Sequence, residues 1–219
     1  MNRSEMKPKL ADLRKSYEKG TLDLQHIKGN PLQFFQVWFN EAKESDSIHE
    51  VNAISLSTLG DDGFPISRVV LLKDFSEEGF VFFTNYKSKK GKSILRHPKV
   101  GLSFYWPSLE RQIIIKGEAE KLSPEKSDKY FNSRPRGNQL GAHVSPQSEV
   151  IPDRKFLEDL QLSLDKKFKY SEIPRPAHWG GILVRPHEIE FWQGRRNRLH
   201  DRICCYLEGI DWKVKRLAP

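Results

Sequence analysis

Arginine, histidine and tryptophan crowd one short stretch, Glu188 to Leu207, which reads EIEFWQGRRNRLHDRICCYL. Its pattern predicts two strands joined by a polar, glycine-containing loop at Gly194 to Asn197. Alternation along the second strand sets Arg198, His200 and Arg202 on one face and Leu199, Asp201 and Ile203 on the other. Two guanidiniums with an imidazole between them call for an anion, and the arginine fork suits phosphate or carboxylate oxygens. The preceding strand carries Ile189, Phe191 and Trp192 close together. A cationic face beside a tryptophan suits a flat, anionic ligand; the alternative is the solvated outer face of an edge strand.

Other basic groups stand at places where backbone N–H groups are free. Thr84, Lys87, Ser88, Lys89 and Lys90 fall at a strand-to-helix junction, where the helix dipole favours phosphate, although a solvated lysine-rich helix start has the same composition. Arg68 and Lys73 end the strand SRVVLLK, and strict alternation puts them on opposite faces unless Lys73 lies past the strand end. Tyr130, Arg134 and Arg136 add phenol and guanidinium donors beside a glycine-bearing loop. Other chemistries find less support. Gly91-Lys92-Ser93 resembles the end of a phosphate-binding loop, but the earlier glycine it needs is Tyr86. The seven histidines show no paired-ligand spacing, so no metal site is expected, and no GxSxG elbow occurs. Taken together, the basic groups and the tryptophan favour a phosphate-binding protein.

Composition sets the frame. The 219 residues suit one sizeable domain with helical additions, with phenylalanine, at 13 copies, dominating the core. A net charge of +8 welcomes anions, but the basic residues are spread among acids without a basic tail. Cys204 and Cys205 are adjacent in a predicted strand, point to opposite faces, and read as small, partly buried residues of a reducing compartment. The first twenty residues hold no apolar segment able to act as a signal peptide, and no stretch approaches membrane-spanning length, so a cytoplasmic location is expected.

The elements that must position these groups follow from periodicity. Residues 5–19 read as a charged helix with Leu10, Leu13 and Tyr17 in one thin stripe, stopped by Gly20; 1–20 is expected to form a helical arm, and 21–219 a single domain. Asn30-Pro31 starts an amphipathic helix through Ala42. Strands are expected at 51–58, 66–73, 79–84, 100–106, 111–122, 180–184, 188–193, 198–207 and 212–217, with helices at 89–96, from Pro124, and at 153–168. The segment from Ser133 to Ser148 reads as a polar loop. Short connections imply hairpins, hence a mainly β, antiparallel barrel or sandwich with peripheral α-helices.

Glu190-Phe191-Trp192-Gln193 followed by Arg198-Leu199-His200-Asp201-Arg202 resembles the C-terminal signature of the pyridoxine/pyridoxamine 5′-phosphate oxidase family. The likeness runs through nearly the whole chain: LRxxY at 13–17, RVVLLK at 68–73, FxTN at 82–85, LERQ at 109–112, SRPR at 133–136, QS at 147–148, WGG at 179–181 and the terminal RLAP. It implies an FMN-binding split β-barrel, antiparallel, working as a homodimer with FMN in a cleft between subunits. The implied reaction oxidises pyridoxamine or pyridoxine 5′-phosphate to pyridoxal 5′-phosphate with O2, releasing H2O2, and NH3 from the amine. Carried over motif by motif, Arg68, Phe83, Thr84, Lys89, Lys90, Gln112, Gln147, Ser148, Trp192 and Arg202 would hold FMN. Lys73, Tyr130, Arg134 and Asn138 would grip the substrate phosphate, Arg198 and His200 would hold the pyridine ring against the flavin as the catalytic pair, and Arg14 and Tyr17 would belong to a closing arm. Phe83, Lys89 and Asn138 replace residues that are commonly Tyr, Arg and Ser, which costs a hydroxyl at Phe83 and a bidentate fork at Lys89.

Two competing classes make different demands. A carrier or sensor on the same barrel would keep the FMN contacts without the substrate set, all of which is present here. A nucleic-acid binder, suggested only by net charge, would bind with steep salt dependence.

Overall fold

The computed structural model describes Leu13 and Lys15–Pro219; Arg14, with residues 1–12, lies outside the described residues. Nine antiparallel strands form one sheet with helices at its margins: α1 (Pro31–Lys43), β1 (Ala53–Leu59), β2 (Pro65–Leu71), β3 (Asp74–Ser76), β4 (Gly79–Asn85), α2 (Lys89–Arg96), β5 (Lys99–Trp106), β6 (Arg111–Lys121), α3 (Pro124–Asn132), α4 (Arg136–Val144), α5 (Arg154–Lys167), β7 (Trp179–Gln193), β8 (Asp201–Glu208) and β9 (Asp211–Leu217). The order is β2-β1-β5-β6-β7-β4-β3, with β8 and β9 branching from β7. β2 approaches β4 across the fold, as a barrel requires.

β7 is the axis of this arrangement. One edge pairs with β6 along its length, while the other edge is divided between β4, which meets residues 179–184, and β8, which meets residues 188–193. Two separate strands were expected here. A single strand runs through instead, because Pro186, which has no N–H to donate, falls where the β6 register shifts between Lys116 and Gly117.

α1 plugs the barrel. Asn30 Oδ1 accepts from the Leu32 N–H at 3.0 Å and caps the helix. Phe35, fully buried, packs its ring 4.9 Å from those of Phe75 and Phe80 and 5.2 Å from Phe104, while Phe34 and Trp38 meet Phe191. Phenylalanine supplies most of the bulkiest fully buried side chains, although buried isoleucines are more numerous. A smaller cluster of Phe131, Leu140, Ile173 and Trp179 lies under α3 and α4.

Several expectations are corrected. Leu13 and Lys15–Gly20 form no helix, because the Glu18 and Lys19 N–H groups donate to the Glu110 carboxylate rather than to helical carbonyls. The polar segment after Ser133 contains α4, whose Leu140 and Ala142 are buried in the smaller core. β8 begins at Asp201, since Asn197 and Arg198 take left-handed φ values of 56° and 61°. Cys204 and Cys205 are free and buried, and burial pushes the Cys205 thiol up to about 12. No helix among the described residues is long and apolar enough to cross a membrane.

Candidate active site

The sequence-predicted residues gather into two groups at opposite ends of β7. The first forms where β4 passes into α2. Ser88 caps α2, accepting from the Gly91 N–H at 3.2 Å and donating to Asn85 O at 2.7 Å. The turn at Gln147-Ser148, with Ser148 at φ 75°, closes on the same helix end. Lys90 Nζ donates to Gln147 Oε1 at 2.9 Å, and the Lys89 N–H donates to Ser148 Oγ at 3.2 Å. Arg68 reaches in from β2, donating to Thr58 Oγ1 at 2.7 Å and Leu56 O at 3.3 Å. Burial and then the nearby Arg68 charge hold the Lys90 ammonium below its ordinary value. Thr84 Oγ1 is buried with no hydrogen-bond partner among the described residues.

Beside it lies an aromatic stack. The Phe83 ring sits 3.8 Å from Tyr130 and 5.3 Å from Trp179, all three nearly parallel. Gly181 has no room for a side chain here, since a Cβ would fall 2.9 Å from Leu122 and 3.1 Å from Phe83. The Arg134 guanidinium lies over Trp179 at 4.4 Å, and its Nη1 is buried without a partner among the described residues. Burial lowers the pKa of that guanidinium. Arg134 lies one residue before Pro135, the N-cap of α4, in whose first turn Asn138 is exposed. Lys73 follows the end of β2 and its N–H donates to Val81 O, which sets it alongside β4 and removes the alternation conflict with Arg68. Arg136 is turned away, donating to Phe168 O at 2.7 Å.

The second group surrounds the β7–β8 loop. Trp192 pairs in register with Gln112 of β6 and with Arg202 of β8. The three residues expected to share one strand face are instead separated. Arg202 alone is in the strand; Arg198 lies in a 3-10 turn and His200 in the following loop. The loop still brings His200 to Trp192, ring centroids 4.6 Å apart, and Tyr17 packs 5.7 Å from His200 and 5.8 Å from Trp192. Tyr17, Trp192, Arg195, Arg198 and His200 line a cleft of about 690 Å³.

Hydrogen bonds decide the charge states here. His200 Nδ1 accepts from the Arg195 N–H at 3.1 Å, which leaves the ring proton on Nε2. Burial and then the Arg198 charge lower the His200 pKa below 6.5, so the ring is neutral at pH 7. Because the folded chain binds this proton less readily than the unfolded chain, the effect leaves stability intact above 6.5 and lowers it as pH falls below that value. Arg202 is held by Glu190 through Nε at 2.8 Å and Nη2 at 3.0 Å and by Ala218 O through Nη1 at 2.9 Å. Of the five N–H bonds of a guanidinium, two therefore have no partner among the described residues. Asp201 fixes the loop from behind. Burial pushes its carboxyl up, but the Leu22 N–H, Arg216 and Arg195 outweigh that and hold it below the usual value.

Glu190 and Asp201 had no functional part in the sequence reading. Glu190 was accessible to it, because in a hairpin pairing Trp192 with Arg202 the residue two before Trp192 lies diagonal to that arginine. Asp201 was not, since Leu22 and Arg216 are brought to it only by the fold.

Comparison with known proteins places these groups in context. Residues 41–159 match the family model described as pyridoxamine 5′-phosphate oxidase, and residues 179–219 match the pyridoxine 5′-phosphate oxidase C-terminal dimerisation region. The chain is 52% identical to the pyridoxine/pyridoxamine 5′-phosphate oxidase of Christiangramia forsetii, over 98% of this chain and 100% of that one. It is 54% identical to the protein of the same name from Flavobacterium johnsoniae, over 95% and 98%. Among solved structures, PhzG of Burkholderia lata, in complex with tetrahydrophenazine-1-carboxylic acid, superposes with a TM-score of 0.84 at 28% identity, covering 91% of this chain and 100% of that one. The first group of site residues falls within 41–159, while Trp192, Arg198, His200 and Arg202 fall within the dimerisation region.

Proposed function

The chain belongs to the pyridoxine/pyridoxamine 5′-phosphate oxidase family, and from that premise we propose that it binds FMN between two copies of itself and oxidises pyridoxamine and pyridoxine 5′-phosphates to pyridoxal 5′-phosphate. It is a flavin-dependent oxidoreductase on a split β-barrel. Oxygen is the electron acceptor and leaves as H2O2; the amine substrate also consumes water and releases NH3.

One observation carries this reading. Arg68, Lys73, Lys89, Lys90, Arg134 and Arg198 form no ion pair with a carboxylate among the described residues, although the chain has 29 acids. Arg68, Lys90 and Arg134 are partly buried without counter-charge, and cations so placed are arranged for anionic ligands. The donor set fits FMN: Thr84 Oγ1 is a buried hydroxyl without a partner among the described residues, and Arg68, Lys89 and Lys90 would supply positive charge for its phosphate, with Gln147 and Ser148 beside them. Phe83 has no phenol to offer, so only its backbone can hydrogen-bond to the cofactor. Gln112, Trp192 and the two N–H bonds of Arg202 without a partner among the described residues complete the set from the other group.

The separation of the groups argues for two protomers. Thr84 pairs with Gly180, whereas Trp192 stands twelve residues further along β7. At about 3.3 Å per residue that is roughly 40 Å of strand, far longer than a flavin mononucleotide ring system. A second copy, joined through the C-terminal region, would bring its Trp192 end to the Thr84 end of the first.

Flavin held by Arg68, Thr84, Lys89, Lys90, Gln147, Ser148 and the Trp192 end would supply the two-electron redox chemistry between substrate and oxygen. The chain contributes position and charge. Arg134, Tyr130, Lys73 and Asn138 would hold the substrate phosphate, with the α4 N-terminus behind it. Arg198 and the neutral Nε2–H of His200 would bind oxygen substituents of the pyridine ring, and Tyr17 would cover it from solvent.

Purified protein loaded with FMN is expected to convert both substrates aerobically, with pyridoxal phosphate and peroxide formed in equal amounts. Flavin retained without any product would overturn the oxidase and leave a carrier. The His200 geometry adds a pH signature: kcat/KM should fall on the acid side below pH 6.5 as the ring gains a proton and a second positive charge beside Arg198. In His200→Gln that acid limb should vanish, and its persistence would assign it to another group.

A further inference from the structure

We infer that Glu110 is a positioning residue, whose carboxylate latches the segment carrying Tyr17 over the substrate cleft while its carbonyl holds the loop beneath. This rests on the oxidase reading for its functional consequence, but the contacts stand independently. Glu110 is buried, 8% exposed, in the turn between β5 and β6. Its Oε2 accepts from the N–H of Glu18 at 2.7 Å and of Lys19 at 2.9 Å. Its carbonyl accepts from the Gly194 N–H at 2.7 Å, at the entrance to the loop that bears Arg198 and His200.

Neighbouring contacts converge on the same three segments. Lys19 Nζ donates to Ser108 O at 2.6 Å, and Arg196 of the loop pairs with Glu18 at 2.6 Å. Gln193, buried, donates to Leu109 O at 3.2 Å and accepts from Arg111 Nε at 2.9 Å. The Leu109-Glu110-Arg111 run thus ties segment, turn and loop together. Tyr17 then lies against the Gly194 backbone so closely that a Cβ there would fall 2.8 Å from it.

The backbone of Glu110 shows that its side chain has a purpose beyond the turn. Its φ is +56°, a left-handed conformation that glycine adopts without strain and glutamate does not. A tight turn alone is better served by glycine. The strain is offset by the two N–H groups the carboxylate holds, both charge-assisted hydrogen bonds in a site sheltered from water.

The same conformation supplies a clean test. Glu110→Gly removes the carboxylate and relieves the strain, leaving the carbonyl bond to Gly194 in place. Glu110→Gln keeps the shape but offers only a neutral oxygen. In FMN-loaded protein, tryptic cleavage after Lys19 is expected to accelerate about tenfold in the glycine variant and by less in the glutamine variant. KM for pyridoxamine 5′-phosphate should rise by about the same factor, with kcat within about twofold and flavin content unchanged. A merely structural role would instead lower flavin content and thermal stability, leaving KM of the remaining holoenzyme alone. Wild-type protection from trypsin and wild-type KM in both variants would overturn the latch. Should the glycine variant lose flavin, the glutamine variant decides by the same two readouts. If wild-type protein turned over no substrate, the oxidase reading would fall, and the tryptic comparison would still decide whether Glu110 holds the segment.

Discussion

Protomers carrying Arg134→Ala and protomers carrying Arg198→Ala, each nearly inactive alone at substrate concentrations near the wild-type KM, are expected to regain about a quarter of wild-type activity when dissociated, mixed in equal amounts and reassociated. The two residues belong to groups at opposite ends of β7. If a complete site takes one group from each protomer, a mixed dimer has one site carrying both substitutions and one carrying neither. Random pairing makes about half the dimers mixed, and each has one of its two sites intact. The measurement needs two affinity tags to show that mixed dimers have formed. Mixed dimers without recovered activity would mean that both groups serve a ligand within one protomer. The Arg198 position suits this use, because the residue is exposed in a 3-10 turn, so its loss should leave the fold intact.

Arg134→Ala by itself should raise KM for either substrate by roughly 10²–10³, the equivalent of about 3–4 kcal/mol for a guanidinium making paired, charge-assisted hydrogen bonds to phosphate. Arg134→Lys should recover part of this, since it restores the charge but not the fork. Stability provides the control. The guanidinium lies over Trp179 with a buried N–H that has no partner among the described residues, so its attraction to the ring and the penalty of its burial oppose each other. Unfolding free energy is expected to move by no more than about 1 kcal/mol, read as an unchanged denaturant midpoint. An unchanged KM would remove Arg134 from the phosphate site.

Much of the site was legible because its parts are local. Ser88 capping α2 with Lys89 and Lys90 at its start, Asn30-Pro31 opening α1, and the strand–loop–strand plan around Trp192 all follow from near neighbours in the chain. Where the sequence reading failed, a distant partner had overruled a local preference. The segment before Gly20 has a helical pattern, yet Glu110, about ninety residues away, takes the N–H groups of Glu18 and Lys19. Residues 133–148 look like a polar loop, and α4 forms there because its apolar residues find Phe131, Ile173 and Trp179. Residues 180–184 and 188–193 read as two strands, but the register shift against β6 at Pro186 lets β7 run through.

The sequence by itself therefore determined the inventory: the basic groups, the tryptophan, the antiparallel hairpins and, through its motifs, the family. Backbone periodicity and capping are short-range effects, so they can be read from neighbours. Tertiary structure alone decided how that inventory is divided. Alternation had set Arg198, His200 and Arg202 on one strand face, but left-handed residues at Asn197 and Arg198 delay β8 until Asp201 and leave only Arg202 in the strand. The pairing of Arg202 with Glu190, the return of His200 onto Trp192 and the placing of Thr84 and Trp192 at opposite ends of β7 depend on contacts between segments far apart in the chain. Such contacts are set by packing and long-range hydrogen bonding, which leave no trace in local spacing.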